Sequence, residues 1–370
     1  MGPGEVEGRE QGRAAGAPRS EAPQQRGAAG TPESDPRELG RDDRNLALEM
    51  VRVTEAAAMA AARRMGFGDK EAADQAAVDA MRGVLQRIPM DGLVVIGEGE
   101  KDEAPMLYNG ERIGTGAPPA VDIAVDPVEG TTLTARGLPN ALSVIALAEK
   151  GAMFDPGPCV YMDKLATGPL AADVIDFEAP IGDNLRRIAR AKGAKVGDVT
   201  VTVLDRPRHA QLVADIRAAG ARIVFLADGD VAGAIMAARP DTGIDLSVGI
   251  GGTPEGVITA CALKCLGGAL YGRLMPRDDA EREVATDAGY DVDAVLSLDD
   301  LVRSDRVIFA GTGITDGNLL RGVRFTGRGA TTQSLSMRSS SGTVRTVNAE
   351  HTFSKFNTIA RFADLDELAP

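Results

Sequence analysis

The chain has 370 residues, 44% hydrophobic and 26% charged, the make-up of a soluble globular protein long enough for two domains or one large layered one. A net charge of −13, no tryptophan and 4% aromatic residues argue against a nucleic-acid surface, which needs basic groups for phosphate and rings for base stacking. No apolar run is long enough to cross a bilayer and the N-terminus has no apolar signal core, so no membrane partner is expected and the cytoplasm is the expected location.

Residues 1–40 form a separate regime. From Met1 to Glu38 there is no Leu, Ile, Phe, Tyr or Trp, and Val6 is the only valine. A stretch of Gly, Pro, Ala, Glu and Arg cannot bury enough surface to offset its ordering entropy, so it reads as a disordered extension, or equally as a misplaced translation start. Leu46, Met50, Val53 and Ala57 then recur at helical spacing, and Gly66 suits the stop. Asp69 is a good N-cap for a second helix running to about Gln86, with Val78, Met81 and Leu85 inward. Asp74 falls on that same face, where an acid is rare unless paired with Lys70, one turn earlier, or bound to a metal.

The run Leu93–Ile96 predicts a buried strand, ending in Gly97-Glu98-Gly99-Glu100-Lys101-Asp102-Glu103. This is either a solvated charged loop or, because its glycines allow close backbone approach, a ligand loop. A second strand, Val121–Val125, leads into Asp126-Pro127-Val128-Glu129-Gly130-Thr131. Pro127 offers no N–H, so the strand should stop at Asp126. Two carboxylates in a tight turn, followed by a hydroxyl, are hard oxygen donors suited to Mg²⁺ or Mn²⁺, with phosphate completing the shell. An acidic protein that handles phosphate esters needs such a cation.

Further strands are predicted at Ala141–Ala148, Val199–Leu204, Arg222–Ala227, Asp245–Ile250 and Val307–Ala310, with helices over Asp183–Ala194, Ala210–Ala219, from Val231 and over Val257–Leu266. Tyr161 lies in a polar loop. Thr331–Leu335 and Thr343–Val347 read as a hairpin. The β-α-β-α alternation implies a largely parallel sheet with covered faces, and candidate ligands cluster past strand ends, as is usual in open α/β sheets. They include Arg206-Pro207-Arg208-His209, either a phosphate clamp or surface arginines; Asp228-Gly229-Asp230; and Gly251-Gly252-Thr253-Pro254-Glu255-Gly256. In the last, Thr253 suits a cap, the glycines admit a phosphate or sugar oxygen, and Glu255 answers the helix dipole or adds a metal ligand. Cys159, Cys261 and Cys265 are too few for a disulfide framework, and Cys261 and Cys265, four apart in an apolar stretch, read as buried free thiols, while His209 and His351, the only histidines, exclude a His-rich metal site.

Taken in order, Gly68-Asp69-Lys70, the Gly97–Tyr108 segment, Asp126–Thr131, Arg206–His209, Asp228–Asp230 and Gly249–Gly256 resemble the class II fructose-1,6-bisphosphatases, within the wider inositol-monophosphatase-like superfamily, over essentially residues 41–360. The resemblance implies a layered α/β sandwich with mixed sheets covered by helices. Residues 41–175 would form a metal-binding part, and 176–370 a sugar-phosphate-binding part whose last strands return to the first. It implies metal ligation by Asp74, Glu98, Asp126, Glu129 and Glu255, catalytic roles for Lys70, Asp102 and Thr131, and substrate contacts from Glu129, Gly130, Thr131, Tyr161, Arg206, Arg208, Asp228, Gly229, Asp230 and Gly252. It also implies a homo-oligomer, dimer or tetramer. Arg206 stands where Lys is common and Thr253 where Ala is common. The expected activity is gluconeogenic hydrolysis of fructose 1,6-bisphosphate to fructose 6-phosphate and phosphate. The rivals are sedoheptulose 1,7-bisphosphatase activity, sole or additional, and a non-catalytic sugar-phosphate sensor.

Overall fold

The computed structural model describes residues 43–99 and 106–353; the expectations for residues 1–40 and for Asp102 lie outside them. In chain order the elements are α1 (Asp43–Ala62), α2 (Lys70–Leu85), β1 (Asp91–Ile96), β2 (Arg112–Ile113), β3 (Ala120–Glu129), α3 (Thr131–Arg136), β4 (Leu142–Glu149), β5 (Tyr161–Thr167) and α4 (Ile181–Lys192). Then follow β6 (Thr200–Leu204), α5 (Ala210–Ala219), β7 (Arg222–Leu226), α6 (Val231–Ala237), β8 (Leu246–Gly252), α7 (Thr253–Leu266), β9 (Ala269–Leu274) and α8 (Asp279–Asp287). The last are β10 (Leu296–Ser297), α9 (Leu298–Leu301), β11 (Ile308–Gly313), β12 (Arg324–Thr326), β13 (Gly329–Arg338) and β14 (Thr343–Thr352).

These strands make two sheets. One has the order β12-β13-β11-β4-β3-β1-β2, with β14 also paired to β13; the other runs β10-β9-β5-β8-β6-β7. Side-chain alternation along β3 and β4 assigns the layers. Ile123, Val125, Ile145 and Leu147 pack with α1 and α2 on one face. Ala124, Val144, Ala146 and Ala148 pack on the other with α6 and α7, which also meet Met162, Ala166, Leu270 and Leu274 of the second sheet. The far face of that sheet holds Leu165, Val201 and Val203 against Leu185 and Ile188 of α4 and Ile216 of α5. The layers are therefore helix, sheet, helix, sheet, helix. Lying between two sheets, α7 buries Val257, Ile258, Ala260, Cys261, Ala262 and Leu263, apolar nearly all round. Cys261 and Cys265 are free and buried, as expected, and so is Cys159. Glu55 of α1 is buried against the first sheet and accepts a hydrogen bond from Thr332 Oγ1 at 3.0 Å.

Four local expectations are corrected. The sheets are mixed and mostly antiparallel, with parallel pairing at β1–β3, β6–β7 and β6–β8. Strand β3 does not stop at Asp126 but runs through Pro127 to Glu129, because a register shift between Asp126 and Glu129 leaves proline's missing N–H without a ladder bond to lose. Tyr161 opens strand β5 rather than lying in a loop. Helix α7 begins at Thr253 with Gly252 as its cap, so Thr253 does not cap it. The predicted cap at Asp69 is present: its carboxylate accepts the Ala72 N–H at 2.9 Å.

Candidate active site

Five carboxylates converge from separate elements. Asp126 and Glu129 sit at the end of β3, where Gly130, at φ 90°, turns the chain directly into α3 and sets Thr131 at its first position. Glu98 follows β1, and its N–H donates to the Leu107 carbonyl at 2.9 Å, closing the base of the loop. Asp74 projects from α2, and Glu255 lies in the first turn of α7. These five line one open cleft with Gly130, Thr131, Asp228 and Gly229. Oxygens of Asp126, Glu129 and Glu255 lie within 4.8 Å of one another.

Close, partly desolvated acids repel one another's ionised forms. Burial, followed by the charge of and hydrogen bond to Asp74 and the charge of Glu255, pushes Glu98 up to about 8. Burial also raises Asp74, which the hydrogen bond to Glu98 partly offsets. Asp126 and Glu129 stand well above the usual carboxylate range, through burial first and their acidic neighbours next. Glu255 is raised by burial, with the ammonium of Lys164 opposing. Such a set retains protons unless a cation replaces them, and its donors are all hard oxygens, so the residues present fit a divalent metal of the Mg²⁺ or Mn²⁺ type. Asp74 pairs with Glu98 and makes no ion pair with Lys70, which is exposed at the start of α2 and does not line the cleft.

From the second sheet, the segments after β7 and β8 bring Asp228, Gly229 and Glu255 to the cleft, while Tyr161, Arg206, Arg208, Asp230 and Gly252 are not among the residues that line it. Arg206 pairs with Asp228 at 2.7 Å and donates to the Ala227 carbonyl at 2.6 Å. Arg208 donates through Nε and Nη2 to the Ile250 carbonyl at 3.1 and 2.8 Å and lies 5.2 Å over the Tyr161 ring. Tyr161 is paired with Gly252 across β5 and β8. The backbone N–H of Val231 donates to Glu129 Oε1 at 2.9 Å, which ties the Asp228–Asp230 turn to the end of β3. On the side where a Cβ would stand, Gly251 and Gly252 are crowded by the protein itself. A Cβ at Gly251 would lie 1.9 Å from Asp230 Oδ2 and one at Gly252 1.8 Å from Glu255 Oε2, so the protein's own carboxylates fill that space.

Two residues escaped the sequence reading. His209, noted only within the arginine motif, is buried; its Nδ1 donates to the Leu204 carbonyl at 2.7 Å and its Nε2 accepts the Ile250 N–H at 2.8 Å. Lys164 of β5 is buried against Asp230, at 2.6 Å. Its signal was a lysine at strand spacing between Met162 and Ala166, but β5 itself had not been read.

Residues 44–351 match the family model described as bacterial fructose-1,6-bisphosphatase, glpX-encoded. The chain belongs to the class II fructose-1,6-bisphosphatases. Fructose-1,6-bisphosphatase 1 class 2 of Escherichia coli (strain K12) is 47% identical over 321 residues, covering 83% of this chain and 95% of that protein. Fructose-1,6-bisphosphatase class 2 of Shigella flexneri gives the same 47% identity over 321 residues, with the same coverage of 83% and 95%. The matched span holds both sheets and every described residue of the cleft.

Proposed function

We infer that this chain hydrolyses the 1-phosphate of fructose 1,6-bisphosphate, giving fructose 6-phosphate and inorganic phosphate. The observation that carries the reading is the meeting in one cleft of the acid set with the Asp228–Asp230 turn, in a chain that belongs to this family. Asp74, Glu98, Asp126, Glu129 and Glu255 would hold the metal. Bound there, Mg²⁺ or Mn²⁺ would neutralise phosphoryl oxygens and lower the pKa of a water molecule.

The chain's own groups divide the remaining work. Thr131 stands beside Asp126 and Glu129, where its hydroxyl orients the attacking water toward phosphorus. Asp102 takes the water's proton as the bond from phosphorus to the sugar oxygen breaks, and that oxygen takes up a proton from solvent to leave as the sugar hydroxyl. Lys70 stands one turn before Asp74 at the start of α2 and is assigned the third catalytic role, a cation for the charge that develops at the reacting phosphate. Arg206 and Arg208 anchor the distal 6-phosphate, and Gly130, Tyr161, Asp228, Gly229, Asp230 and Gly252 read the sugar between. Glu129 faces both sets through its bond from Val231. No helix among the described residues is long and apolar enough to cross a membrane; the location proposed for the enzyme is the cytoplasm.

The test is phosphate release from fructose 1,6-bisphosphate before and after chelation. Activity should vanish in excess EDTA and return with Mg²⁺ or Mn²⁺. Full turnover after verified metal removal, or no phosphate release under any metal, would refute the reading.

A further inference from the structure

We propose that Lys164 is a positioning residue for sugar recognition, a buried cation that aims Asp230 and fixes its distance from the acid set. The proposal rests on the reading of Asp228, Gly229, Asp230 and Gly252 as the sugar contacts. Lys164 projects from the inward face of β5, its side chain 8% exposed. Its ammonium lies 2.6 Å from Asp230 Oδ2 and donates to the Gly252 carbonyl at 2.9 Å. One charge therefore ties together the turn before α6 and the cap of α7, the helix whose first turn carries Glu255.

Two observations separate this pair from an incidental contact. The first is space. A Cβ at Gly251 would fall 1.9 Å from Asp230 Oδ2 and 3.0 Å from Lys164 Nζ, and one at Gly256 would fall 3.3 Å from Lys164 Cδ. Neither glycine has a positive φ, so each is there for room and not for backbone freedom; at Gly251 the room is the pair's, and at Gly256 Lys164 shares it with Met162, whose Sδ would lie 3.0 Å from the Cβ. The second is the free end of the carboxylate. Asp230 Oδ1 is buried and has no hydrogen-bond partner. A buried acceptor left open is costly unless a donor arrives, and a sugar hydroxyl is such a donor. A buried ion pair roughly breaks even against well-packed apolar side chains, so stability alone gives no reason for this one. Orientation does: Lys164 occupies one oxygen of Asp230 and leaves the other for the ligand.

The experiment measures binding to the Mg²⁺-loaded protein by calorimetry, with the two products as separate probes. In Lys164→Met, affinity for fructose 6-phosphate should fall by roughly tenfold or more, the scale of a lost charge-assisted contact, while affinity for inorganic phosphate changes by less than about twofold. Parallel loss of both affinities would make Lys164 a general structural support and overturn the proposal. So would unchanged fructose 6-phosphate binding. Should Lys164→Met not fold, Lys164→Gln removes the charge at similar polarity and must show the same split. Asp230→Asn tests the underlying reading. If it leaves fructose 6-phosphate binding intact, the sugar assignment falls and the proposal with it. If it weakens binding while Lys164→Met does not, the positioning role alone is wrong.

Discussion

Replacing His209 by phenylalanine tests how the second sheet presents its arginines. Histidine here acts as a two-sided bracket. Its Nδ1–H satisfies the Leu204 carbonyl at the end of β6, and its Nε2 satisfies the Ile250 N–H on β8. The ring is 2% exposed, so no water replaces it. Phenylalanine keeps a flat ring, somewhat larger, but leaves one buried acceptor and one buried donor unpaired. At roughly 1–3 kcal/mol for each orphaned group, the expected loss is about 2–6 kcal/mol. Because Arg208 is anchored on the carbonyl of the same Ile250, the loss should reach the substrate too, as a rise in KM with a smaller change in kcat. Urea unfolding gives the first number and steady-state phosphate release the second. A destabilisation below about 1 kcal/mol would show that His209 is not the bracket these distances describe. A large loss of stability with unchanged KM would break the link to Arg208.

Three further outcomes are expected. Burial raises Glu55 from 4.5 to about 6, so the folded state holds its proton more tightly than the unfolded chain, and the cost of ionising it grows as pH rises from 4.5 to 6 and stays constant above. Glu55→Gln, which keeps an acceptor for Thr332, should therefore stabilise the protein by roughly 2 kcal/mol at pH 8 and not at pH 4; equal effects at both would refute it. Arg208→Ala should mainly raise KM for the bisphosphate, whereas a large kcat loss at unchanged KM would place Arg208 at the reacting phosphate. Thr131→Ala should cost on the order of 10²-fold in kcat with metal binding intact, and Thr131→Ser should retain substantial activity. Retention of configuration at phosphorus, or a trapped phosphothreonine, would convert Thr131 from orienting group to nucleophile.

Much of this could be read from the chain because acids of the cleft follow directly on apolar runs. Val121–Val125 announces β3, and Asp126 and Glu129 stand at its end. Helical spacing placed Asp74 on the inward face of α2 but left its partner open; only the fold brings Glu98 beside it. Strand direction was not legible, since alternating helices and strands give element type and not pairing partner. Strand β5 was missed because Asp163 and Lys164 interrupt its apolar pattern, although Lys164 is there for Asp230, a residue 66 positions away whose contact no local pattern reports. The glycines at 251 and 252 were recognised as spacers, but what fills the space comes from β7–α6 and from α7 itself.

A bisphosphate has two ends, and the two anchors proposed for them meet on one short stretch of backbone. Arg208 is held by the carbonyl of Ile250, while Glu255 of the acid set lies five residues later in the first turn of α7. Between them, Gly251 and Gly252 are packed against the carboxylates of Asp230 and Glu255, and Lys164 is bonded to the Gly252 carbonyl. This junction has no slack, because close-packed interiors transmit displacement instead of absorbing it. On the proposed anchoring, a substrate one carbon longer would have to be accommodated by the arginine side chains, which are carried on the turn between β6 and α5, rather than by any change in the junction. If Arg206 and Arg208 hold the distal phosphate as proposed, discrimination between sugar bisphosphates of different length rests on how firmly Arg206 is held by Asp228 and Ala227, and Arg208 by Ile250.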